Sequence, residues 1–196
     1  MKWGEFKLNW GRPLKSILSV FDKKIISFKF HHLISSNSTF IDQDHEDKKK
    51  FFIDFKKYKK FFEKRGILID HNKRLKMINK QFSKILNKRN LKIIDNPRLI
   101  DEVVNLVDSP NILLCKFDKK FLSIPQEILT LTMQSHQKYF PTFDEKNKIT
   151  NEFLIVINKK DHKGLIKLGN ERVIEARLSD AEFFWNKDKT QNLVKK

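Results

Sequence analysis

The sequence predicts an α+β fold, and three observations carry that prediction. Stretches with helical spacing of apolar residues alternate with short apolar runs of strand length. Their order mixes helices and strands without a regular βαβ repeat, which sets the pattern apart from an α/β sheet. Start and stop residues stand where the spacing changes, as at Asn96-Pro97, an N-cap followed by Pro at the first helical position. No internal repeat is visible, and 196 residues suit one domain, or two small ones, with a sizeable core.

Residues 16–34 (SILSVFDKKIISFKFHHLI) form two apolar runs broken by Asp22-Lys23-Lys24, which predicts a hairpin. Ser35-Ser36-Asn37-Ser38-Thr39 is turn-forming, and 42–47 (DQDHED) reads as an acidic loop. In 48–65 (KKKFFIDFKKYKKFFEKR), Phe51, Phe55, Tyr58 and Phe62 recur at i, i+4, i+7 and i+11, one stripe of a helix that Gly66 stops. Nine Lys/Arg occupy most of its remaining surface. The stripe is read as packing on a sheet, with the lysines free to touch phosphate. A membrane surface is another use of such a helix.

Residues 71–90 place Leu75, Ile78, Phe82 and Ile85 on one helical face. After Asn96-Pro97, Leu99, Val103, Leu106 and Val107 form the stripe of the next helix, which Ser109-Pro110 ends. Residues 111–117 (NILLCKF) are strand-like, and 121–124 a shorter strand. A helix opens at Pro125-Gln126-Glu127 and runs to about Ser135. Residues 139–143 and 153–158 read as strands around a polar turn at 144–151. Gly169-Asn170 opens a last helix through Trp185.

The chain carries 41 Lys+Arg against 24 Asp+Glu, a formal charge of +17. Residues 1–98 hold 25 basic and 10 acidic groups, whereas residues 99–196 hold 16 and 14. That asymmetry predicts, within one α+β domain of residues 1–196, a basic lobe 1–95 and a near-neutral lobe 96–196. A basic excess points to a polyanionic partner. Only seven of the basic residues are Arg, the side chain preferred for bidentate phosphate contacts. A Lys- and Phe-rich, Gly-poor composition is also what a low-GC genome encodes, so coding bias explains the charge about as well.

Several chemistries are excluded. No apolar run approaches the ~20 residues of a membrane span, and MKWGEFKLNWG lacks the apolar core of a secretory signal. A cytoplasmic location is expected. The single Cys115 rules out a disulfide framework and a Cys-built zinc site, and its apolar run marks it as a small buried hydrophobe. There is no GxxxxGK[ST], GxGxxG or GxSxG. None of His31, His32, His45, His71, His136 and His162 sits at zinc spacing, and on a strand His31 and His32 would face opposite sides. Asp44-His45, Asp70-His71 and Asp161-His162 run opposite to a His-Asp phosphohydrolase motif. The chain is expected to hold no self-sufficient active site, no metal and no cofactor.

Three blocks of the second half are specific: LIDEVVNLVDSPNILLCKFDKKFLSIPQEIL (99–129), TMQSHQKYF (132–140) and GNERVIEARLSDAEFFW (169–185). In this order they resemble the β subunit of the bacterial two-subunit glycyl-tRNA synthetase. MKWG and Arg12-Pro13 resemble that family's MRWG and RP blocks, and Asp70 and Arg74 match its D…R spacing. The resemblance covers nearly the whole chain. It implies an internal segment, because the family's MRWG lies well inside the subunit, and it implies that the His-Asp-type and anticodon-binding domains are absent. The family's GHRF block has no match, since Phe40-Ile41-Asp42-Gln43 follow Thr39.

The resemblance implies a division of labour. An α subunit activates glycine with ATP and Mg²⁺, and a β subunit supplies recognition of tRNA(Gly) within an α2β2 heterotetramer that contains a second β subunit. The segment resembles the β-subunit domain likened to the editing domain of phenylalanyl-tRNA synthetase. The leading expectation is tRNA positioning and subunit assembly without catalysis in this segment. Alternatives are hydrolysis of mischarged tRNA and a purely structural scaffold. Candidate tRNA contacts are Lys56, Lys57, Lys59, Lys60, Lys64, Arg65 and Arg74.

The family blocks supply His136, Gln137, Lys138, Tyr139, Asn170, Glu171, Arg172, Arg177 and Asp180. Strand alternation would put Gln137 and Tyr139 on one face, with His136, Lys138 and Phe140 on the other. Tyr139 is one of two tyrosines in a chain rich in Phe, which favours a buried structural hydrogen bond over ligand contact. His136 is read equally as a core histidine or a group beside RNA. Arg172 with Glu175, and Arg177 with Asp180, are spaced to pair. Asn170 and Arg172 near a helix N-terminus would offer a phosphate site, which Glu171 opposes. Phe183, Phe184 and Trp185 are read as core or subunit interface.

Overall fold

The computed structural model describes residues 2, 5, 7–9, 11, 14–41 and 49–190, and its fold is α+β as the sequence predicts. Of the sequence features above, Met1, Trp3, Gly4, Arg12, Pro13 and the acidic stretch 42–47 lie outside the described residues. The chain divides into two compact units, Met1–Gly66 and Ile67–Lys196. The division falls at Gly66 and not at the charge-derived 95/96. The helix at 71–89 buries Ile78, Phe82 and Leu86 in the second unit's core, and this decides the boundary.

In the first unit, β1 (Val20–Phe21) pairs with β2 (Lys24–Ile25). Asp22 and Lys23 between them have φ of 44° and 60°, the left-handed pair that a two-residue hairpin turn needs. The second apolar run folds back on itself instead of forming one strand. β3 (Lys29–Phe30) pairs with β4 (Leu33–Ile34), so His31-His32 form a turn, with His31 at φ 51°. Buried Ser35 ties this hairpin down: its hydroxyl donates to the Ile26 carbonyl at 2.7 Å and accepts the Phe28 N–H at 2.8 Å.

β5 (Ser38–Phe40) pairs with β6 (Lys49–Phe51), so Ser38 and Thr39 are strand, not turn. Helix α1 (Phe55–Glu63) starts only after Asp54, whose carboxylate accepts the Lys57 N–H at 2.9 Å. That cap breaks the predicted stripe. Phe51 is exposed in a strand and Phe55 is 66% exposed, while Phe52 and Phe62 are buried. Tyr58 and Phe61 meet Phe52 edge-on, centroids 5.1 and 5.2 Å away. Gly66, at φ 79°, lets the chain leave the helix.

The second unit is a three-stranded antiparallel sheet, ordered β7 (Asn111–Lys116), β9 (Ile149–Ile157), β8 (Phe140–Phe143), with helices on both faces. Leu154 and Val156 of β9 face Ile78 and Phe82 of α2 (His71–Arg89) and Leu99 and Val103 of α3 (Pro97–Leu106). Phe153 and Ile155 face Leu129 of α4 (Gln126–Leu131) and Ile174 and Leu178 of α5 (Leu165–Thr190). The pleat alone makes this division, since neighbouring side chains of a strand point to opposite faces.

Local differences from the sequence reading have physical causes. Asn96 caps α3 as predicted, accepting the Leu99 N–H at 3.0 Å. The buried stripe nevertheless takes Val104 and leaves Leu106 exposed. Residues 119–123 form a 3-10 turn, not a strand, because Asp118 caps it by accepting the Lys120 N–H. α4 continues as a π turn over Thr132–His136. β9 starts at Ile149, earlier than predicted, after a turn in which Asp144 accepts the Lys146 and Lys148 N–H groups. α5 starts at Leu165, not at Gly169. Asp161 accepts the Lys167 N–H at 2.8 Å and so fixes that earlier start.

Glu152 is the one acidic side chain among the described residues that is buried, 8% exposed. Arg89 of α2 donates to it, and Lys116 of β7 lies 3.3 Å from it. Burial pushes its carboxyl up, but these two donors outweigh burial and hold it below the ordinary carboxylate range. A depressed native pKa stabilises above the unfolded value, and the increment is lost as pH falls through the native one. Glu152→Gln is expected to cost about 1–2 kcal/mol at pH 7, Arg89 and Lys116 being half exposed. In urea titrations the gap to wild type should close below about pH 4; a gap that persists there contradicts the ionic origin.

Candidate functional site

Two features of the described residues are suited to binding: lysine-bearing helix faces and a cavity lined by the sequence blocks.

On α1, Lys56, Lys57, Lys60 and Lys64 share one exposed face, and Lys59 is half-buried beside it. Arg65 folds back, its guanidinium 3.7 Å from the Phe61 ring centre and donating to the Phe61 carbonyl. Arg74 of α2 is a clamp. Its Nε donates to Val104 at 3.0 Å, and its Nη1 donates to the Leu68 and Ile69 carbonyls, both at 2.8 Å. Three of its five donors thus join the start of α2 to the end of α3.

The sequence reading passed over the rest of α2. Its 19 residues include no Asp or Glu. Lys73, Lys76, Lys80, Lys84 and Lys88 are all exposed, and their spacing of three and four puts them on one face. The row runs about 22 Å along the axis at 1.5 Å per residue. Lys76, Lys80, Lys84 and Lys88 make no ion pair among the described residues. The signal that would have found them is the absence of acid through a whole amphipathic helix.

The cavity, about 230 Å³, is built by all three sequence blocks. Val103, Leu106 and Val107 at the end of α3 and Ile155, Val156 and Ile157 of β9 wall it. Gln137, Lys138, Tyr139 and Asn170 rim it. The π turn replaces the expected strand, so the alternation predicted for 136–140 does not occur. His136 ends the turn exposed, and Lys138 takes a left-handed φ of 58°, from which its ammonium reaches Glu102 at 3.0 Å. Tyr139 is buried and stacks on Phe153, centroids 5.1 Å apart. Its hydroxyl donates to Asn170 Oδ1 at 2.6 Å, and Asn170 Nδ2 donates to the Ile166 carbonyl at 2.7 Å.

Asn170 is therefore inside α5, not at its N-terminus, and the phosphate site proposed there has no free N–H groups to use. Glu171 accepts the Lys116 N–H at 2.8 Å and so fastens α5 to β7. Arg172, Arg177 and Asp180 are exposed, and neither Arg172–Glu175 nor Arg177–Asp180 closes as an ion pair among the described residues. Phe183 and Phe184 are exposed and not core; Trp185 is half-buried.

The tyrosine at the cavity and the cysteine packed in the same core are poor bases. Burial pushes the Tyr139 hydroxyl up to about 12, and burial with the nearby Glu171 carboxylate pushes the Cys115 thiol to about 12. Both stay protonated at neutral pH and neither serves as a base. Among the described residues no three His, Cys, Asp or Glu gather as metal ligands, and no helix is long and apolar enough to cross a membrane.

Fold and site together define a lysine-rich α+β protein with a small lined cavity. The comparisons make that class specific. A family model described as "Glycyl-tRNA synthetase beta subunit" matches residues 1–196, and the chain belongs to that family. It is 37% identical over 194 residues to the "Glycine--tRNA ligase beta subunit" of Rickettsia akari (strain Hartford), covering 98% of this chain and 29% of that protein. The same-named protein of Rickettsia felis (strain ATCC VR-1525 / URRWXCal2) matches at 37% over 196 residues, covering 98% and 30%. That of Rickettsia typhi (strain ATCC VR-144 / Wilmington) matches at 38% over 194 residues, covering 98% and 29%. The chain thus spans about 30% of the length of the curated relatives it matches.

Tyr139→Phe is expected to cost about 1–2 kcal/mol, because it strands the Asn170 acceptor. Urea unfolding measures it; an unchanged midpoint would show the bond to be incidental.

Proposed function

We propose that this chain is a tRNA-positioning part of a glycyl-tRNA synthetase β subunit and is not catalytic by itself. Its partners would be tRNA(Gly), an α subunit and a second β subunit. Glycine activation with ATP and Mg²⁺ would lie in the α subunit. The observation that carries the proposal is the α2 lysine row. A row of cations without interspersed acid tracks a phosphate backbone, and its spacing of about 4.5–6 Å suits successive contacts. The exposed lysines of α1 extend the same chemistry in the first unit.

Hydrolysis of mischarged tRNA has one observation in its favour, the cavity beside Tyr139. Its rim of Gln137, Lys138, Tyr139 and Asn170 offers no group that activates water at neutral pH, and His136 is not part of it. Binding is accordingly the preferred use.

The test is tRNA(Gly) affinity against salt. Changing Lys76, Lys80, Lys84 and Lys88 together to Glu should lower the log–log slope by about 3.6, at roughly 0.9 per lost phosphate contact. These side chains are exposed, so circular dichroism should be unaltered. An unaltered slope overturns α2 as the contact surface.

A further inference from the structure

We infer that the cavity between the β1–β2 hairpin and α1 is a stacking site for an unpaired RNA base. The inference rests on the RNA reading above and adds a place in the first unit where a base would lie.

The cavity holds about 440 Å³, enough for a nucleoside. Leu18 and Val20 of the hairpin side form one wall, and Phe55 and Tyr58 of α1 form the other. The two rings are near parallel, 23° apart with centroids 6.5 Å from each other. Phe55 lines the cavity, is 66% exposed, and has Tyr58 as its ring neighbour among the described residues. Phe52 and Phe62 fill the aromatic core beneath it. The Tyr58 hydroxyl, half-buried at the same wall, donates to no group among the described residues.

An aromatic pair with a lysine in the lining favours a nucleotide over an aliphatic peptide. Lys23 lines the cavity and Lys24 beside it is exposed, whereas Lys56 and Lys57 lie on the opposite face of α1. Lys23 and Lys24 supply a phosphate contact on one side of a base. Of the two carboxylates in the lining, Asp54 already caps α1. Asp22 is held at the hairpin tip by its left-handed φ of 44° and is the acceptor suited to a base amino group. Aromatic faces flanked by lysines are how proteins hold single-stranded nucleic acid, at about 1–3 kcal/mol per stacked base.

The experiment uses the full chain and a short single-stranded RNA with a central 2-aminopurine. Binding should quench the probe. Phe55→Ala should abolish the quench and weaken binding about tenfold, with the salt slope unchanged, and Phe55→Trp should restore both. A preference for oligocytidine over oligouridine that Asp22→Gly removes supports the amino-edge contact; glycine suits that backbone. If Phe55→Ala binds and quenches as wild type while the α2 variant still lowers the tRNA slope, the stacking site is overturned and the RNA reading stands. If wild type binds tRNA without salt dependence, the RNA reading fails first. A Phe55→Ala chain that keeps RNA binding but loses self-association in sedimentation assigns the surface to a protein partner and overturns the inference.

Discussion

The second unit depends on β9 being buried on both faces. A strand with sheet partners on both edges and helices on both faces has no solvent side. Its sequence therefore runs apolar without alternation from Phe153 to Ile157. The polar residues at its start must be satisfied inside the fold. Asn151 donates to the Phe117 carbonyl, and the buried Thr142 hydroxyl donates to the Glu152 carbonyl. Glu152 itself, on the face that meets α2, recruits Arg89 and Lys116. The helix bearing the lysine row is thus seated by apolar contact along its middle and by an ion pair at its end.

The cations divide by chemistry. The arginines of α2 are used inward: Arg74 on three carbonyls and Arg89 on a carboxylate. Arg65 lies on Phe61. The planar guanidinium suits such fixed acceptors and ring faces. The lysines of the same helix stand in water, where a flexible, hydrated ammonium meets a mobile phosphate at little cost in order. The scarcity of Arg weighs less against an RNA partner once Arg65, Arg74 and Arg89 are seen to be engaged in holding the scaffold.

Much of the fold was legible because the signals were local. Asn96-Pro97 marks the start of α3, the predicted stripe of α2 is buried at Ile78 and Phe82 with Leu75 and Ile85 half-buried, and the NILLCKF run is a strand. What escaped was decided by capping or by tertiary contact. Asp54, Asp118 and Asp161 each moved an element boundary through a side-chain hydrogen bond that competes with the apolar pattern. The site was half legible. The three sequence blocks do converge on one cavity, but which residues rim it depends on a π turn that no spacing rule announces. The α2 row lay in plain view, yet lysines on a helix surface are ordinary until the missing acids are counted.

That π turn carries a consequence for how the chain can vary in length. Thr132–His136 holds one residue more per turn than an α-helix would, directly before the left-handed Lys138. Winding the same five residues as α-helix, about 3.6 to the turn, would carry Tyr139 roughly a quarter turn around the helix axis, so its position depends on the π turn taking up the extra residue. Phe153 would lose its stacked ring and Asn170 its donor. Insertions in the 144–148 turn, by contrast, only lengthen a solvent hairpin. Descendants of this sequence should therefore accept gaps in that hairpin freely, while between Leu129 and Phe140 a change in residue count has to go together with loss or gain of the π turn.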